Sequence, residues 1–388
     1  MKILYLVNSN GDKSQHGAYK KILHEKECFE KLGHEVKLIV FHTSPIEFPK
    51  SDADFISLND NNNGVLNKIT SGRKLNKMVI DAAKNEKPDV IYFRDRGAIL
   101  NFFDKLSKIA PVFVEVQSNV IEENKVTNKK RYILEAILKR SYYKSIKAFV
   151  CITNELYKNE VRYNNKPGFI LGNGILKEDL GFAEKKDINN KINLIFVISP
   201  GLPWHGTERL IRSFNNAPNK DKFVIHIVGE EDRFGAGNDQ IKFYGVVNDK
   251  QKLDDLFSIS DIGVGTLALY TKEMKEAAPL KVRHYIAKGL PVIIAYDDVD
   301  ITDSEYFVLK FANDDTDLDF TSIEQFYKRT NESRVKGNIS QYATEDLLWL
   351  KKIEQLNYFI NSIYDIDTSN TLRSNIDGNI TDRFKGSV

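Results

Sequence analysis

The stretch KEMKEAAPLKVRHYIAKGLPVI, Lys272 to Ile293, has the order of a polar loop, a helix and a buried strand. Pro279 suits the first turn of a helix, because its missing N–H is not needed there and its fixed φ already fits. Gly289 ends this helix, and Leu290 to Ala295 has the nearly continuous apolar character of a buried strand. A helix that follows such a loop presents free N–H groups and the positive end of its dipole. Both favour a bound anion, most simply a phosphate.

Four charged or titratable residues accompany this helix. Glu276 comes just before it, Lys281 and Arg283 lie in its first turns, and His284 follows Glu276 by eight positions. An acid, two cations and a titratable ring thus surround the expected anion site. The same spacing also fits an ordinary capped amphipathic helix with solvated basic residues, so both interpretations stay open at this point.

Length and composition indicate an ordinary soluble protein with two domains. A chain of 388 residues exceeds a typical single core, and a net charge of +2 indicates no particular partner. Cys28 and Cys151 have neither metal-binding nor disulfide-framework spacing, which suits a reducing compartment. The N-terminal run MKILYLVNSN is too short for a secretion signal, and no run approaches the ~18 apolar residues of a membrane span. We therefore expect a cytoplasmic protein.

Strand-like and helix-like patterns alternate along the chain, which predicts an α/β fold with parallel sheets. The predicted strands are Ile3–Val7, Val36–Phe41, Asp89–Phe93, Val112–Val116, Ala148–Ile152, Leu194–Ile198, Phe223–Val228, Ile241–Tyr244, Ile262–Val264 and Leu290–Ala295. The expected divisions are a first domain over 1–175, a polar linker over 176–191, a second domain over 192–343, a helical segment over 344–366 and a disordered tail over 367–388. Within the fourth division, Thr344–Tyr364 reads as one amphipathic helix.

Segments spread over both halves resemble family 4 of the glycosyltransferases, the retaining enzymes with the GT-B fold. In the second half they are SPGLPWHGTERLI (Ser199–Ile211), VGEED (Val228–Asp232), FYGVVND (Phe243–Asp249), SDIGVGTLALYTKEM (Ser260–Met274) and EAAPLKVRHYIAKGLPVI (Glu276–Ile293). In the first half they are LGHEVKL (Leu32–Leu38), PDVIYFR (Pro88–Arg94), PVFVEV (Pro111–Val116) and GNGI (Gly172–Ile175). The resemblance implies two Rossmann-like, doubly wound parallel-sheet domains facing a central cleft. It also implies that the terminal helix crosses back to the first domain, which is the acceptor side, whereas the second domain binds the nucleotide sugar.

The resemblance further implies which residues form the site. The family's signature is a pair of glutamates separated by seven residues. Glu276 matches the first, which sits by the donor sugar, whereas His284 replaces the second, which holds the nucleotide ribose. Lys281 is the best-placed cation for the diphosphate, because His205 stands in the altered basic pair. The implied catalytic residues are Glu276 and Lys281. The implied donor-binding residues are Gly17, Gly201, His205, Gly206, Gly229, Glu230, Val246, Leu280 and His284. On the acceptor side, more weakly implied, are Gln117 and Arg94.

By this resemblance the protein is a hexosyltransferase-type enzyme. It would move a sugar, with retention, from a nucleotide-diphosphate donor to a lipid-linked glycan acceptor in bacterial surface-polysaccharide synthesis. We expect no cofactor and no metal. The Asp-x-Asp patterns at Asp298–Asp300 and Asp52–Asp54 are interpreted as acidic surface loops, because a metal site needs converging ligands.

Two other functions compete with sugar transfer. A catalytically silent GT-B protein that binds a sugar nucleotide or a partner is suggested by His284, His205 and Gln117, whereas the retained Glu276 and Lys281 argue against it. A nicotinamide dehydrogenase is disfavoured, because the first βα turn lacks the glycine spacing of the dinucleotide fingerprint.

The stretch Lys125 to Lys147 carries eight basic side chains and one acidic side chain. Its apolar residues are Ile133, Leu134, Ile137, Leu138 and Tyr142. Such a helix can lie on an anionic membrane, which would make the protein peripheral on the inner face of the plasma membrane. Alternatively, it is a solvated helix with its apolar stripe in the core. Nucleic-acid binding is not expected, because the rest of the chain is nearly neutral.

Overall fold

The structure of the protein is a computed structural model. It describes residues 1–9, 16–47, 53–58, 65–94, 101–119, 133, 138–139, 141–162, 164–181, 186, 190–335 and 337–364. Of residues 16–18, 65–69 and 332–335 it describes the backbone only.

The first half is built on a sheet of seven parallel strands in the order β3-β2-β1-β4-β5-β6-β7. These strands are β1 (Lys2–Asn8), β2 (Glu35–His42), β3 (Asp54–Ser57), β4 (Val90–Arg94), β5 (Val112–Val116), β6 (Ala148–Cys151) and β7 (Gly168–Ile170). The register of β1 sets Ile3 opposite Val36 on one side and opposite Val90 on the other. The central strands are buried on both faces, which explains their almost continuous apolar sequence.

The second half contains a sheet of six parallel strands in the order β10-β9-β8-β11-β13-β15. These strands are β8 (Ile192–Val197), β9 (Phe223–Val228), β10 (Ile241–Phe243), β11 (Ile262–Val264), β13 (Val292–Ile294) and β15 (Val308–Lys310). A separate two-stranded parallel pair joins β12 (Glu276–Ala277) to β14 (Asp297–Asp298). This pair fixes the loop that contains Glu276.

Helices connect the strands of both sheets. The described helices are α1 (His16–Lys31), α2 (Val65–Glu86), α3 (Phe102–Leu106), α4 (Asn154–Val161), α5 (Thr207–Asn216), α6 (Lys250–Ile259), α7 (Leu280–Ala287), α8 (Phe320–Val335), α9 (Asn338–Asp346) and α10 (residues 349–364). The predicted fold class, two doubly wound parallel-sheet units, is confirmed. The sequence missed the edge strands β3, β7 and β15 and the helices α2 and α8, and all three missed strands are short and only partly buried.

The end of the described chain lies against the first sheet. Trp349, Ile353, Leu356 and Ile360 of α10 recur at helical spacing, and they belong to the apolar cluster that contains Tyr5 of β1. The sequence predicts one helix over Thr344–Tyr364, whereas α9 ends at Asp346 and α10 begins at residue 349.

The break between α9 and α10 has a structural cause. Leu347 and Trp349 use their backbone groups to bind the segment that leaves the first half. The N–H of Ile175 donates to the carbonyl oxygen of Leu347 at 2.7 Å, and the N–H of Trp349 donates to the carbonyl oxygen of Ile175 at 2.9 Å. The two crossovers between the halves therefore run side by side. A Cβ on Gly174 would come within 2.8 Å of the Trp349 ring, so the close approach requires a glycine there.

Among the helices that the structure describes, none has the length and apolar character needed to cross a lipid bilayer.

Candidate active site

The N-terminus of α7 lies at the carboxyl edge of the second sheet, and Lys281 is its second residue. The Nζ atom of Lys281 is buried and has no hydrogen-bond partner among the described residues. It lies 4.4 Å from the centre of the Phe196 ring, which contributes a cation–π contact. Burial lowers the pKa of Lys281 well below its usual value, because the charged form has lost its hydration. An anion bound at this point would raise that pKa again.

His205 lies beside Lys281 and is held in one protonation state. The backbone N–H of Ser199 donates to His205 Nε2 at 3.1 Å, so the ring proton of the neutral form is on Nδ1. Burial, together with the nearby charges of Lys281 and Lys272, lowers the pKa of His205 to about 2. His205 Nδ1 is itself buried, with no partner in the described part of the chain. Two neighbouring side chains, Lys281 and His205, therefore each hold a buried donor nitrogen that has no partner among the described residues.

Near these donors, two glycines allow backbone segments to pack closely against their neighbours, Gly206 against Leu267 and Gly229 against Ile198. Gly206 has φ +83, and a Cβ there would come within 2.8 Å of the Cβ of Leu267. Gly229 has φ +106, and a Cβ there would come within 1.8 Å of the carbonyl oxygen of Ile198. Both positions thus require glycine for conformation and for space. Gly206 also precedes the first residue of α5, whose free N–H groups face the same edge of the sheet.

Glu230, one residue after Gly229, is buried and held in place by two neighbours. Its carboxylate pairs with Arg233 Nε at 2.5 Å and accepts from the hydroxyl of Thr207 at 3.3 Å.

The remaining predicted donor-binding residues are more dispersed. Gly201 lies in an exposed turn after β8, Val246 is 65% exposed after β10, Leu280 is the first residue of α7, and Gly17 lies in the first turn of α1.

Glu276 lies on the loop before α7, where the two halves of the molecule meet. Its Oε2 atom accepts a hydrogen bond from the backbone N–H of Glu155 at 2.9 Å. Glu155 is in the first turn of α4, directly after the carboxyl end of β6. The carboxyl edge of the first sheet therefore faces the loop that carries Glu276.

Arg283 is not part of the anion pocket, which corrects the expectation from its spacing. Its guanidinium is fully buried and binds Asp298 through both terminal nitrogens, at 2.5 and 2.7 Å. It also pairs with Asp300 at 2.5 Å and donates through Nε to the carbonyl oxygen of Asn173 at 3.0 Å. Asp298 and Asp300 are thus engaged by protein cations rather than lying in a solvated loop. Within the described ranges, no three His, Cys, Asp or Glu side chains form a group that could hold a metal ion.

His284 is partly buried on the side of α7 that faces the first half of the molecule. Burial lowers its pKa, against the opposing effect of the Asp179 carboxylate. His24 and Lys20 of α1 are near enough to lower the pKa of His284 further by charge repulsion. A ligand next to His284 would therefore also lie near α1.

On the first sheet, Gln117 and Arg94 belong to a buried polar cluster at the carboxyl ends of β4 and β5. Lys21 Nζ donates to Gln117 Oε1 at 2.9 Å and to Glu115 Oε1 at 2.8 Å. Arg94 Nη1 lies 3.8 Å from Glu115 Oε2. Burial and the neighbouring Glu115 carboxylate raise the pKa of Glu25 to about 7. The predicted acceptor-side residues are therefore engaged by buried neighbours rather than freely exposed, Gln117 by Lys21 and Glu115 and Arg94 by Glu115.

The basic stretch at 125–147 falls largely outside the described residues, which include Ile133, Leu138, Lys139 and 141–147. Lys139 was expected on a solvated or membrane-facing surface, but its Nζ is buried and lies 2.6 Å from Glu160 Oε1. Tyr142 is also buried, with its ring centre 4.6 Å from that of Phe103. Both side chains therefore pack into the first half of the molecule. Lys139 can be buried there because its charge is paired with Glu160. Ile133 is 56% exposed.

Several solved structures of glycosyltransferases have the same fold as this chain. The sequence itself matches no protein-family profile and no curated protein. A glycosyltransferase from Rickettsia africae matches with a TM-score of 0.65 and 15% identity, over 93% of this chain and 98% of that one. The chain has the GT-B fold.

Two further structures share this GT-B fold over their whole length. Anabaena HepE, solved in complex with UDP, matches with a TM-score of 0.64 and 13% identity, over 93% of this chain and 100% of that one. WaaG, a glycosyltransferase involved in lipopolysaccharide biosynthesis, matches with a TM-score of 0.61 and 15% identity, over 92% and 98%. At these identities the likeness establishes the fold, and the site must be argued from this chain's own residues.

Sequence reasoning missed two residues that touch the site loop. Glu155 and Asn173 both belong to the first half, and both bind backbone groups of the segment 275–278. The GNGI motif pointed to the region of Asn173. We find no sequence signal that links Glu155 to Glu276, which lies 121 positions later.

Proposed function

We propose that the protein is a glycosyltransferase that transfers a sugar from a nucleotide-diphosphate donor. The observation that carries this proposal is a pair of buried donors without partners among the described residues, Lys281 Nζ at the N-terminus of α7 and His205 Nδ1 just before α5. A buried donor left unsatisfied costs about 1–3 kcal/mol, and more when it is charged. A diphosphate supplies the several anionic acceptor oxygens that would satisfy both donors and the free N–H groups of the helix.

The two buried donors and the helix N-terminus are suited to stabilise the negative charge that the diphosphate gains during sugar transfer. As the bond between the anomeric carbon and the donor phosphate oxygen breaks, its electron pair stays on the diphosphate. The new glycosidic bond forms to the oxygen of the acceptor hydroxyl, and the hydroxyl proton passes to an oxygen of the departing diphosphate. Lys281, the His205 N–H and the α7 N-terminus stabilise the leaving diphosphate without needing to reorganise. This proposed mechanism requires no resident cofactor.

Glu276 is the proposed group at the sugar end of the donor. It lies on the loop that leads directly into α7, so a diphosphate at the helix N-terminus would bring the attached sugar to this loop. His284 is the proposed ribose contact, because either ring nitrogen can exchange a hydrogen bond with a hydroxyl. Transfer with retention is proposed from the resemblance of the segment Glu276–Ile293 to family 4.

The proposed acceptor is a lipid-linked glycan in surface-polysaccharide synthesis. The support is the family resemblance, together with the fold shared with WaaG. The acceptor would enter on the side of the first sheet, near Gln117 and Arg94. The same proposal includes binding to the membrane surface by the basic stretch 125–147. Lys139 would not contact the membrane, because it pairs with Glu160 inside the protein.

A catalytically silent sugar-nucleotide-binding protein is the second candidate, and one contact favours it. The carboxylate of Glu276 is already engaged by the N–H of Glu155. Turnover separates the two candidates. We would incubate the purified protein with a panel of nucleotide sugars, chosen by thermal shift, and follow release of nucleoside diphosphate and the configuration of the sugar product by NMR. Transfer or hydrolysis that retains the anomeric configuration of the donor supports the proposal. Binding without any release by the wild type identifies the silent protein, and inversion would remove the family 4 assignment.

A further inference from the structure

The loop that carries Glu276 is held by the first half of the molecule. We propose that Glu155 is a positioning residue for Glu276, so that the acid has its working orientation only while the two halves are in contact. This inference rests on the proposed function and adds to it a residue from the opposite domain. Glu155 touches the loop backbone and the neighbouring acid rather than the expected donor site.

The contact between Glu155 and the loop is reciprocal. Glu155 Oε2 accepts hydrogen bonds from the backbone N–H groups of Lys275 and Glu276, at 2.8 and 3.1 Å. In return, Glu276 Oε2 accepts from the backbone N–H of Glu155 at 2.9 Å. Two carboxylates can lie this close because each one accepts from a backbone donor of the other segment. These bonds involve a charged acceptor, which makes each about twice as strong as a neutral one.

The N-terminus of α4 adds a favourable electrostatic term to this contact. The helix spans Asn154–Val161, and Thr153 caps it by accepting from the N–H of Leu156 at 3.1 Å. The N–H of Glu155 is thus left for Glu276. A carboxylate beside the first turn of a helix is stabilised by the helix dipole. The side chain of Glu276 is therefore oriented by α4 as well as by Glu155.

A second anchor from the first half holds the other end of the same loop. Asn173 Nδ2 donates to the carbonyl oxygen of Ala278 at 2.6 Å. The carbonyl oxygen of Asn173 in turn accepts from Arg283 Nε at 3.0 Å. Glu155 and Asn173 thus fix the loop at residues 275, 276 and 278. Movement of the halves apart would break the Glu155 contact first, because Asn173 lies in the crossover itself.

The consequence for catalysis is that the orientation of Glu276 depends on the relative position of the domains. The groups proposed to hold the diphosphate, Lys281, His205 and the N-terminus of α7, all belong to the second half and do not touch Glu155, so loss of Glu155 should spare nucleotide affinity. A misplaced acid, however, slows the chemical step, and a displacement of about 1 Å costs on the order of 10²-fold in rate. We therefore expect Glu155→Ala to lower kcat by about 10- to 100-fold, with an unchanged Kd for UDP.

The test compares Glu155→Ala, Glu155→Gln and the control Lys158→Ala, which changes an exposed residue of the same helix. Amide hydrogen exchange of residues 275 and 276 is measured for each protein, beside transfer kinetics and UDP affinity. Because a single oxygen of Glu155 accepts both bonds, the amide side chain of the Glu155→Gln variant retains an acceptor and should restore most of the rate. Exchange at 275 and 276 should rise in Glu155→Ala and stay at the wild-type level in Lys158→Ala.

The outcomes separate the positioning role from the proposed function. Unchanged exchange at 275 and 276, or a kcat for Glu155→Ala equal to that of Lys158→Ala, overturns the positioning role even if the wild type is fully active. A fall in kcat without rescue by Glu155→Gln also overturns it. If the wild type releases no nucleotide from any donor, the proposed function fails and the catalytic role of Glu155 fails with it, whereas the exchange data still report the contact.

Discussion

Arg283 and Asp298 form a bidentate ion pair in which both side chains are fully buried. Arg283 is in the helix that contains Lys281, and Asp298 is in the strand that pairs with Glu276–Ala277. The same arginine reaches Asn173 in the first crossover, and Asp300 pairs with Lys352 of α10 in the second. One ionic cluster therefore joins the proposed donor helix, the loop of the acid and both crossovers.

Breaking this cluster should destabilise the protein strongly. Arg283→Met leaves the fully buried Asp298 carboxylate without its cation and leaves Asp300 paired with Lys352 alone, which costs about 3–5 kcal/mol. Arg212→Met is the matched control, because Arg212 also binds two carboxylates, Asp315 and Asp317, but its side chain is 43% exposed. The control should lose less than about 1 kcal/mol. Denaturant unfolding of both variants measures the difference, and equal losses would contradict a structural role for the buried pair.

Because His205 is buried in its neutral form, the protein should become less stable as the pH is lowered. Its pKa is about 2 in the folded protein and 6.5 in an exposed histidine. Below pH 6.5 the unfolded chain therefore binds a proton that the folded chain does not, and stability falls as the pH is lowered. Between pH 7.5 and 5.5 the wild type should lose about 1.4 kcal/mol more than His205→Gln, which has no titrating group there. Urea unfolding at the two pH values checks this, and identical losses would show that His205 is not held neutral.

Glu276→Gln should separate the chemical step from nucleotide binding. The amide oxygen of Gln can still accept from the N–H of Glu155, so the side chain keeps its place and loses only its charge. Loss of a charge-assisted contact costs about 1.5–3 kcal/mol, which lowers kcat by roughly 10- to 150-fold, while the Kd for the nucleoside diphosphate that the wild type binds changes little. Glu273→Gln, an exposed residue three positions earlier, is the control. Full activity of Glu276→Gln on an established donor and acceptor would show that Glu276 is not a catalytic residue.

The fold could be predicted from the sequence because its elements follow local rules. Pro279 and Gly289 bracket α7, and the buried parallel strands read as apolar runs. The short edge strands β3, β7 and β15 were missed, because few of their side chains are fully buried. The split between α9 and α10 was missed for another reason: it depends on backbone bonds to Ile175, more than 170 positions earlier.

The site was only partly predictable, and the reason is geometric. Lys281 and Arg283 are both basic, but residues two apart on a helix point in different directions. Spacing alone could not show that Lys281 enters the pocket while Arg283 enters the ionic cluster. The role of Glu155 could not be read from the sequence at all, since its contact with Glu276 exists only after two separate domains have packed together.

Calorimetric titration of UDP, GDP and ADP into the wild type, Lys281→Ala and Lys252→Ala is the sharpest test of the proposed diphosphate pocket. Lys252 is an exposed lysine of α6 and serves as the control. We predict that at least one nucleotide binds the wild type and Lys252→Ala equally. Lys281→Ala should bind it more weakly by about 1.5–3 kcal/mol, or roughly 10- to 150-fold, because a charged contact to the diphosphate is lost. Equal affinity for wild type and Lys281→Ala, or no binding of any nucleoside diphosphate to the wild type, would contradict the proposal.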